Sequence, residues 1–372
     1  MKKQPICNVG VVGAAARGAY FTKLLARTGY FHCQAVCDTN EEGLLKIQKD
    51  SGAPEAFLNY EDMLDRADIQ AVFIGTPMQH HAGMAIAALN RGLHVLCEVT
   101  AAISLDECRQ LVEAAARSSA SYMLAENYTF TRPNQIIKKL VAAGLFGVPY
   151  YAEGEYIHEL KERMERTPWR RRWASGVNGI TYGTHSLGPI LQWMPGDRVV
   201  SVSCAGSGHH WIDPRGDHYE NEDTCVMLAK TARGALIKIR VDVLSDRPHA
   251  MTNYSLQGTD AAYESARAEG EPDRIWVRSR NPVPDKWENL SALEPQHTPE
   301  MWRDPASLEG IGHGGGDLLE LIYWRDVLLG LKENELGIHQ AMDFTLPGLI
   351  SQESIKNCGA WLPVPDSRDW IH

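Results

Sequence analysis

The first third of the chain alternates short apolar runs with amphipathic stretches. Cys7 to Val12 is apolar, small residues come next, and Arg17 to Arg27 is amphipathic. Further apolar runs lie at Gln34 to Cys37, Ala71 to Gly75, His94 to Cys97 and Ser121 to Ala125. Helical patterns fill the gaps at Glu41 to Lys49, Tyr60 to Arg66, Ala82 to Asn90 and Leu105 to Arg117. Strand-length runs separated by helices of this size predict βαβ units and a parallel sheet. Residues 1–127 are expected to form a Rossmann-type, doubly wound α/β domain.

After Arg132-Pro133 the texture changes. Asn134 to Ala143 reads as one more helix, ended near Gly144 and Gly147. Tyr150 to Tyr156, Val199 to Ala205, Thr224 to Ala229, Ala235 to Val243 and Asn253 to Gln257 then carry the alternation of strands. Several strands at hairpin-like spacing, with few helices among them, predict an open and mostly antiparallel sheet. Ala266 to Asp304 is polar and rich in Pro and Arg, so it reads as loop or excursion. Asp317 to Leu331 is an amphipathic helix with Leu318, Leu321, Ile322, Leu328 and Leu329 among its apolar positions. Residues 128–372 are expected to form a substrate-binding α/β domain on that sheet.

Composition narrows the partners. Of 372 residues, 44% are hydrophobic and 23% charged, as in soluble globular proteins. The formal charge of −10 lacks the basic footprint of a nucleic-acid binder and suits a small-molecule partner. No stretch reaches the roughly 20 apolar residues of a membrane span. Lys2 and Lys3 look like the basic end of a signal peptide, but Asn8, Gly10, Gly13 and Arg17 break up the apolar segment beyond them, so export is not expected. The eight cysteines are scattered and form no CxxC pair. Reduced, buried thiols in a cytoplasmic protein are expected, without disulfides or structural zinc.

The loop after the first apolar run carries chemistry. Gly13-Ala-Ala-Ala-Arg-Gly18 matches G-x-G-x-x-G at its first and third glycines, with Ala15 at the second. The first glycine permits a tight turn and the third permits close helix–sheet packing. The middle position lets backbone approach a pyrophosphate at the helix N-terminus. Asp38 lies about 20 residues beyond Gly18, at the end of the second strand. A carboxylate there accepts from a ribose diol and repels a 2′-phosphate, which favours NAD over NADP. Gly13, Ala15, Ala16, Arg17, Gly18 and Asp38 are the candidate cradle.

Other residues resemble the Gfo/Idh/MocA family of sugar-handling oxidoreductases. Thr76-Pro77 with Met78 and His81 resembles its TP-x-x-x-H loop, and His94 to Glu98 resembles the strand that ends in its Glu-Lys-Pro motif. In that family the lysine helps move the proton when a sugar hydroxyl is oxidised. Here the motif reads Glu98-Val99-Thr100, and a valine carries no proton. Glycoside hydrolase family 109, the NAD-dependent α-N-acetylgalactosaminidases of the same superfamily, is similar at that departure. Glu98-Val99, Glu126-Asn127, Glu155-Tyr-Ile-His-Glu159, Trp169-Arg170, Tyr182-Gly-Thr-His185 with Gly188-Pro189, Arg247-Pro248-His249 and Gly312-His-Gly-Gly315 with Asp317 all resemble its segments. Gly183, Ser186 and His249 stand where that family has Pro, Gly and Tyr, and these differences bear on which sugar is taken.

The resemblance implies NAD as cofactor, held also by Thr76, Pro77, Met78, His81, Glu98, Val99 and Asn127. It implies a carbohydrate substrate met by Tyr156, His158, Arg170, Thr184, His249 and His313. The implied reaction oxidises carbon 3 of a hexoside, removes the acidified proton at carbon 2 and expels the group at carbon 1. Water then adds, and the sugar is re-reduced without net consumption of NAD. His185 is the first candidate for a base, since imidazole titrates near neutrality. Tyr182 lies three residues earlier, where one helical turn would put both on a shared face. Glu126 ends the fifth parallel strand, where α/β ligand crevices open. Arg170 offers the fork that holds vicinal hydroxyls or a carboxylate.

Each of these has a structural alternative. His185 and Tyr182 could pack in the core, Glu126 could bind ribose or a backbone amide, and His313 could belong to an ordinary glycine loop. An NAD-dependent sugar or polyol dehydrogenase and a non-catalytic nucleotide- or sugar-binding relative are the competing functions. His209, His210, Asp213, Asp217 and His218 have metal-ligand chemistry, but Pro214 and Gly216 mark a turn, and a solvated loop without metal is expected. Six basic residues between Lys161 and Trp173 are broken by Glu162 and Glu165, so a lid on a sugar pocket is expected there rather than a nucleic-acid surface. An open sheet face suggests a homo-oligomer, a dimer or tetramer.

Overall fold

In the computed structural model, residues 7–167, 169–173, 178–302 and 304–371 are described. They divide into two compact units. The first comprises residues 1–126, 317–342 and 367–372, and the second comprises residues 127–316 and 343–366. The helix Gly316–Leu328 and the first turn of the helix Ile338–Lys356 thus return to the amino-terminal unit.

The first unit is built on six parallel strands: β1 (Cys7–Val12), β2 (Phe31–Cys37), β3 (Glu55–Phe57), β4 (Ala71–Ile74), β5 (His94–Glu98) and β6 (Tyr122–Ala125). Their order across the sheet is β3-β2-β1-β4-β5-β6, with the order reversing between β1 and β4. Of the two central strands, β4 is apolar throughout and β1 is so except at Asn8, as expected where helices cover both faces. These helices are α1 (Arg17–Leu25), α2 (Glu41–Ser51), α3 (Tyr60–Arg66), α4 (His81–Asn90) and α5 (Leu105–Arg117). Phe21 of α1 stacks on Phe73 of β4 with centroids 4.0 Å apart, and both are fully buried. Burying each such ring stabilises the unit by about 1.5–3 kcal/mol.

The start of α1 differs from the starts of its neighbours. Asn40, Asn59 and Ser104 cap α2, α3 and α5 with their side chains. Ala16 precedes α1 and has no side chain that could do so. Of its first-turn amides, Gly18 donates to the Gly13 carbonyl at 3.0 Å and Ala19 to the Ala16 carbonyl at 3.2 Å, so backbone does the work of a capping side chain.

Among the described residues the second unit holds nine strands. They are β7 (Pro149–Ile157), β8 (Val199–Gly206), β9 (Thr224–Thr231), β10 (Leu236–Asp242), β11 (Thr252–Gly258), β12 (Ala261–Glu264), β13 (Arg274–Val277), β14 (Glu288–Asn289) and β15 (Leu362–Pro363). Their order is β14-β13-β12-β11-β7-β10-β9-β8-β15, and every pair is antiparallel except β7 with β10. The mostly antiparallel expectation holds, but the polar stretch after Ala266 adds β13 and β14 to the sheet rather than forming only loop.

Helices α6 (Arg132–Ala142), α7 (Lys161–Arg166), α8 (Arg170–Trp173), α9 (Thr184–Trp193), α10 (Glu294–His297), α11 (Gly316–Leu328) and α12 (Ile338–Lys356) complete the chain. Among the described residues no helix is long and apolar enough to cross a membrane. The helix α9 packs on β7, where a side chain on Gly154 would meet the Ser186 Cβ at 2.6 Å. Only glycine allows that approach, which brings the start of α9 against Tyr156.

Candidate active site

In the first unit the loop between β1 and α1 has the geometry that a phosphate cradle requires. Gly13 has φ +76, and a Cβ there would lie 2.6 Å from the backbone of Gly75. A Cβ on Gly18 would lie 2.8 Å from the Gly13 carbonyl. Both positions therefore require glycine. Ala15 fills the middle position and points its methyl at α2. A Cβ on Gly43 would meet it at 2.7 Å, so the space that the loop gives up is found in the facing helix.

The carboxylate of Asp38 closes the loop. Oδ2 accepts from the Ala15 amide at 2.8 Å and Oδ1 from the Asn40 amide at 2.9 Å. A carboxylate offers about four acceptor sites, so two remain for a ribose diol. The uncapped start of α1, the two obligatory glycines and this carboxylate together fit a dinucleotide.

Across the reversal of strand order lies a group of carboxyls around Arg17. Its Nε donates to Glu98 at 2.6 Å and Nη2 to Asp317 at 2.7 Å, and its guanidinium lies 4.7 Å from the Phe21 ring centroid. Glu126, at the end of β6, is fully buried in the same unit. His81 is buried, with Nδ1 2.7 Å from the Thr100 carbonyl and Nε2 2.8 Å from that of Thr76. Burial holds its imidazole below the ordinary value despite both contacts. It ties the loop bearing Thr76, Pro77 and Met78 to the one bearing Val99 and Thr100.

The second unit gathers an aromatic and histidine cluster. The rings of Tyr182 and His185 meet edge to face with centroids 5.2 Å apart. Tyr128 and Tyr156 lie 4.6 and 5.2 Å from the His185 ring, and His313 lies 5.6 Å from Tyr128. Tyr182 does not share a helix with His185. It sits in the turn closed by the Gly183 amide on the Ile180 carbonyl, and α9 begins only at Thr184. The Tyr254 hydroxyl donates to the His185 carbonyl at 2.5 Å and fixes that first turn.

The Tyr156 hydroxyl is 2.8 Å from His158 Nδ1. Burial and then Arg163, with His185, Arg170 and His313 adding to it, push the His158 imidazole down to about 4. Arg170 stacks on the Trp169 ring at 4.4 Å. The Thr184 hydroxyl is fully buried with no hydrogen-bond partner, a costly state that a ligand hydroxyl would relieve. His313 holds φ +52, a conformation that costs a residue with a side chain, and the glycines after it, Gly314 at +59 and Gly315 at +94, adopt theirs freely. A Cβ on Gly316 would meet the Asn127 carbonyl at 2.6 Å, which sets the loop against Asn127.

Sequence reasoning thus named Tyr156, His158, Arg170, Tyr182, Thr184, His185 and His313 in one unit, and the structure gathers them. Glu126 belongs to the other unit, with the carboxyls around Arg17. His249 points both ring nitrogens at backbone carbonyls, 2.6 Å from Arg247 and 2.5 Å from Ile157, and so pins its loop to the end of β7. Tyr128 and Glu320 escaped notice. Tyr128 comes directly after the Glu126-Asn127 segment, and Glu320 is an acid inside an apolar helix run, which were the available signals.

Three basic residues of the run from Lys161 have partners within the unit. Lys161 pairs with Asp246 at 2.9 Å and covers the Trp211 ring, Arg166 pairs with Glu162, and Arg171 with Asp213 at 2.5 Å. The neighbouring His210 pairs with Asp223 at 2.7 Å. Among the described residues no group of three or more His, Cys, Asp or Glu is arranged to hold a metal. Seven of the eight thiols are buried and Cys358 is exposed.

Residues 7–126 match the oxidoreductase family with the NAD-binding Rossmann fold, and residues 130–371 match the C-terminal domain of glycosyl hydrolase 109. The chain belongs to glycosyl hydrolase family 109. Its cofactor is NAD. A family 109 protein of Shewanella pealeana is 30% identical over 98% of this chain and 86% of its own length. An α-N-acetylgalactosaminidase of Shewanella oneidensis is 29% identical over 98% of this chain and 85% of its own. The crystal structure of an oxidoreductase domain protein from Kribbella flavida shares the fold with a TM-score of 0.80 at 21% identity, covering 97% of this chain and all of that one. The family 109 chain therefore joins a nucleotide cradle to a unit whose histidines and tyrosines are clustered.

Proposed function

We propose that this chain is an NAD-dependent glycoside hydrolase that acts on a hexoside through transient oxidation at carbon 3. The observation that carries the reading is the Tyr182–His185 pair in a family 109 chain whose proton-carrying lysine position is Val99. Bound nicotinamide supplies reversible hydride acceptance, so none is consumed over the cycle.

The chain's own residues supply the rest. His185 takes the proton at carbon 2, which the ketone at carbon 3 has acidified. Tyr182, edge-on to that ring, orients it or relays the proton. Arg170, backed by Trp169, holds vicinal sugar hydroxyls with its fork. Thr184 receives or donates one further hydrogen bond to the sugar, and His158, neutral near pH 7, keeps an uncharged acceptor beside Tyr156. With the carbon 1 group expelled, water adds to the enone and carbon 3 is reduced again.

A panel of α- and β-nitrophenyl glycosides tests this, with catalytic NAD and simultaneous reading of nitrophenol and NADH. Many turnovers of nitrophenol without net NADH are expected, and the panel identifies the sugar. Stoichiometric NADH from free sugars without nitrophenol would make the enzyme a dehydrogenase.

A further inference from the structure

Glu320 sits on α11, one turn after Asp317. Its side chain is fully buried and neither carboxyl oxygen has a hydrogen-bond partner. Four groups surround it: Asp317 from its own helix, Glu98 from the end of β5, Glu126 from the end of β6 and Arg17 from the start of α1. The Arg17 guanidinium is already shared between Glu98 and Asp317. Burial, then Asp317 and Glu98, raise the Glu320 carboxyl well above the ordinary carboxylate range, with Arg17 pulling the other way. A leucine at this place in the helix would carry none of that cost. An unpartnered carboxyl facing three others invites a cation.

The cradle says which cation. Asp38, at the end of β2, fits the ribose on one side of the strand reversal. A dinucleotide crossing the reversal lays its other half toward β4, β5 and β6. That is the side of Glu98 and Glu126. The oxidised nicotinamide ring carries one positive charge and the reduced ring none.

We propose that Glu320 compensates the charge of the bound cofactor, being ionised with the oxidised ring and protonated with the reduced one. Oxidation of a secondary alcohol breaks one C–H and one O–H bond. The hydride reduces the ring, and the proton count closes when the Glu320 carboxylate becomes the acid. Re-reduction of the ketone reverses both. Hydride and proton are then stored and returned together. The inference rests on the cofactor and not on the glycosidase reading, so an enzyme that proves to be a dehydrogenase leaves it standing.

The test is calorimetric titration of the full chain, dialysed free of nucleotide, with NAD+ and with NADH. Two buffers of different ionisation heat report protons exchanged, and pH is varied from about 6 to 9 around the window where a raised carboxyl titrates. NAD+ should release a sizeable fraction of one proton at pH 7, and its affinity should tighten by up to about tenfold per pH unit. NADH should release none at that pH. Glu320→Gln keeps a neutral group of the same shape, and in it the NAD+ affinity should be flat with pH and free of proton release. A merely structural Glu320 would not link protons to one redox state. Equal proton release with both nucleotides, or NAD+-linked release that survives in Glu320→Gln, overturns the proposal. Should that variant fail to fold, the wild-type ratio of NADH to NAD+ dissociation constants decides alone, and a ratio flat with pH overturns it.

Discussion

The Tyr156 hydroxyl and Nδ1 of His158 lie 2.8 Å apart, and burial and then Arg163, with His185, Arg170 and His313 adding to it, hold that imidazole neutral near pH 7. The folded value of about 4 lies below the roughly 6.5 of an unfolded histidine. Between those values the unfolded chain binds the proton and the folded chain does not. The contribution to stability is thus complete above pH ~6.5 and is lost as pH falls toward 4. His158→Gln, which can still accept from Tyr156, should remove that loss. The Tm of wild type relative to this variant is expected to fall between pH 7 and 4.5. A difference that stays constant over that range would show that His158 titrates normally.

His185 takes the central place among three tyrosines, and the proposed chemistry asks it for proton transfer at carbon 2. His185→Ala should lower turnover by about 10²–10⁴-fold, the usual worth of general base catalysis. NAD affinity should be unchanged, because the cradle lies in the other unit. His185→Asn, which keeps the packing better, should lose turnover to a similar degree. Wild-type turnover in both variants would remove His185 from the mechanism.

Replacing Asp38 tests whether its carboxylate serves a bound ribose as well as the loop. Its carboxylate accepts from the Ala15 and Asn40 amides and keeps acceptor capacity for a ribose diol. Asp38→Ser removes the charge that repels a 2′-phosphate. It also removes an acceptor that orders the loop. The expected outcome is weaker NAD binding together with a smaller preference over NADP, read from dissociation constants for the two nucleotides. An unchanged preference would refute the ribose assignment.

Much of the cradle was legible because its parts are local. Strand, loop, helix and Asp38 succeed one another within the first forty or so residues, and glycine spacing reports a backbone approach directly. The alternation of strands and helices likewise pointed to the parallel sheet. What escaped depends on contacts that spacing does not encode. Arg17 and Asp317 are 300 residues apart in the chain, and only the return of α11 to the first unit brings them together. In the polar stretch after Ala266, β13 and β14 are too short for alternation to stand out from loop chemistry. The rings of Tyr182 and His185 do lie side by side, but the turn that joins them rests on Gly183 and not on helical periodicity.

Ala15 and Gly43 form the most direct test of how this chain replaced a fingerprint glycine. A Cβ on Gly43 would lie 2.7 Å from the Ala15 methyl, and both belong to elements that bear on the nucleotide loop. Gly43→Ala alone should overpack that contact and cost about 1–3 kcal/mol, with weaker NAD binding as the loop shifts. Ala15→Gly restores the glycine of the fingerprint and removes the tightest contact, leaving Asn40 Nδ2 at 3.1 Å and Cγ at 3.2 Å. In that background Gly43→Ala removes a flexible residue from the first turn of α2, where alanine is the better helix former by up to about 1 kcal/mol. The same substitution should therefore cost less in the second background, and the coupling measured by a double-mutant cycle should exceed about 1 kcal/mol. Additive effects would mean that the loop yields freely at Ala15, and that the absence of a side chain at position 43 has nothing to do with the cofactor.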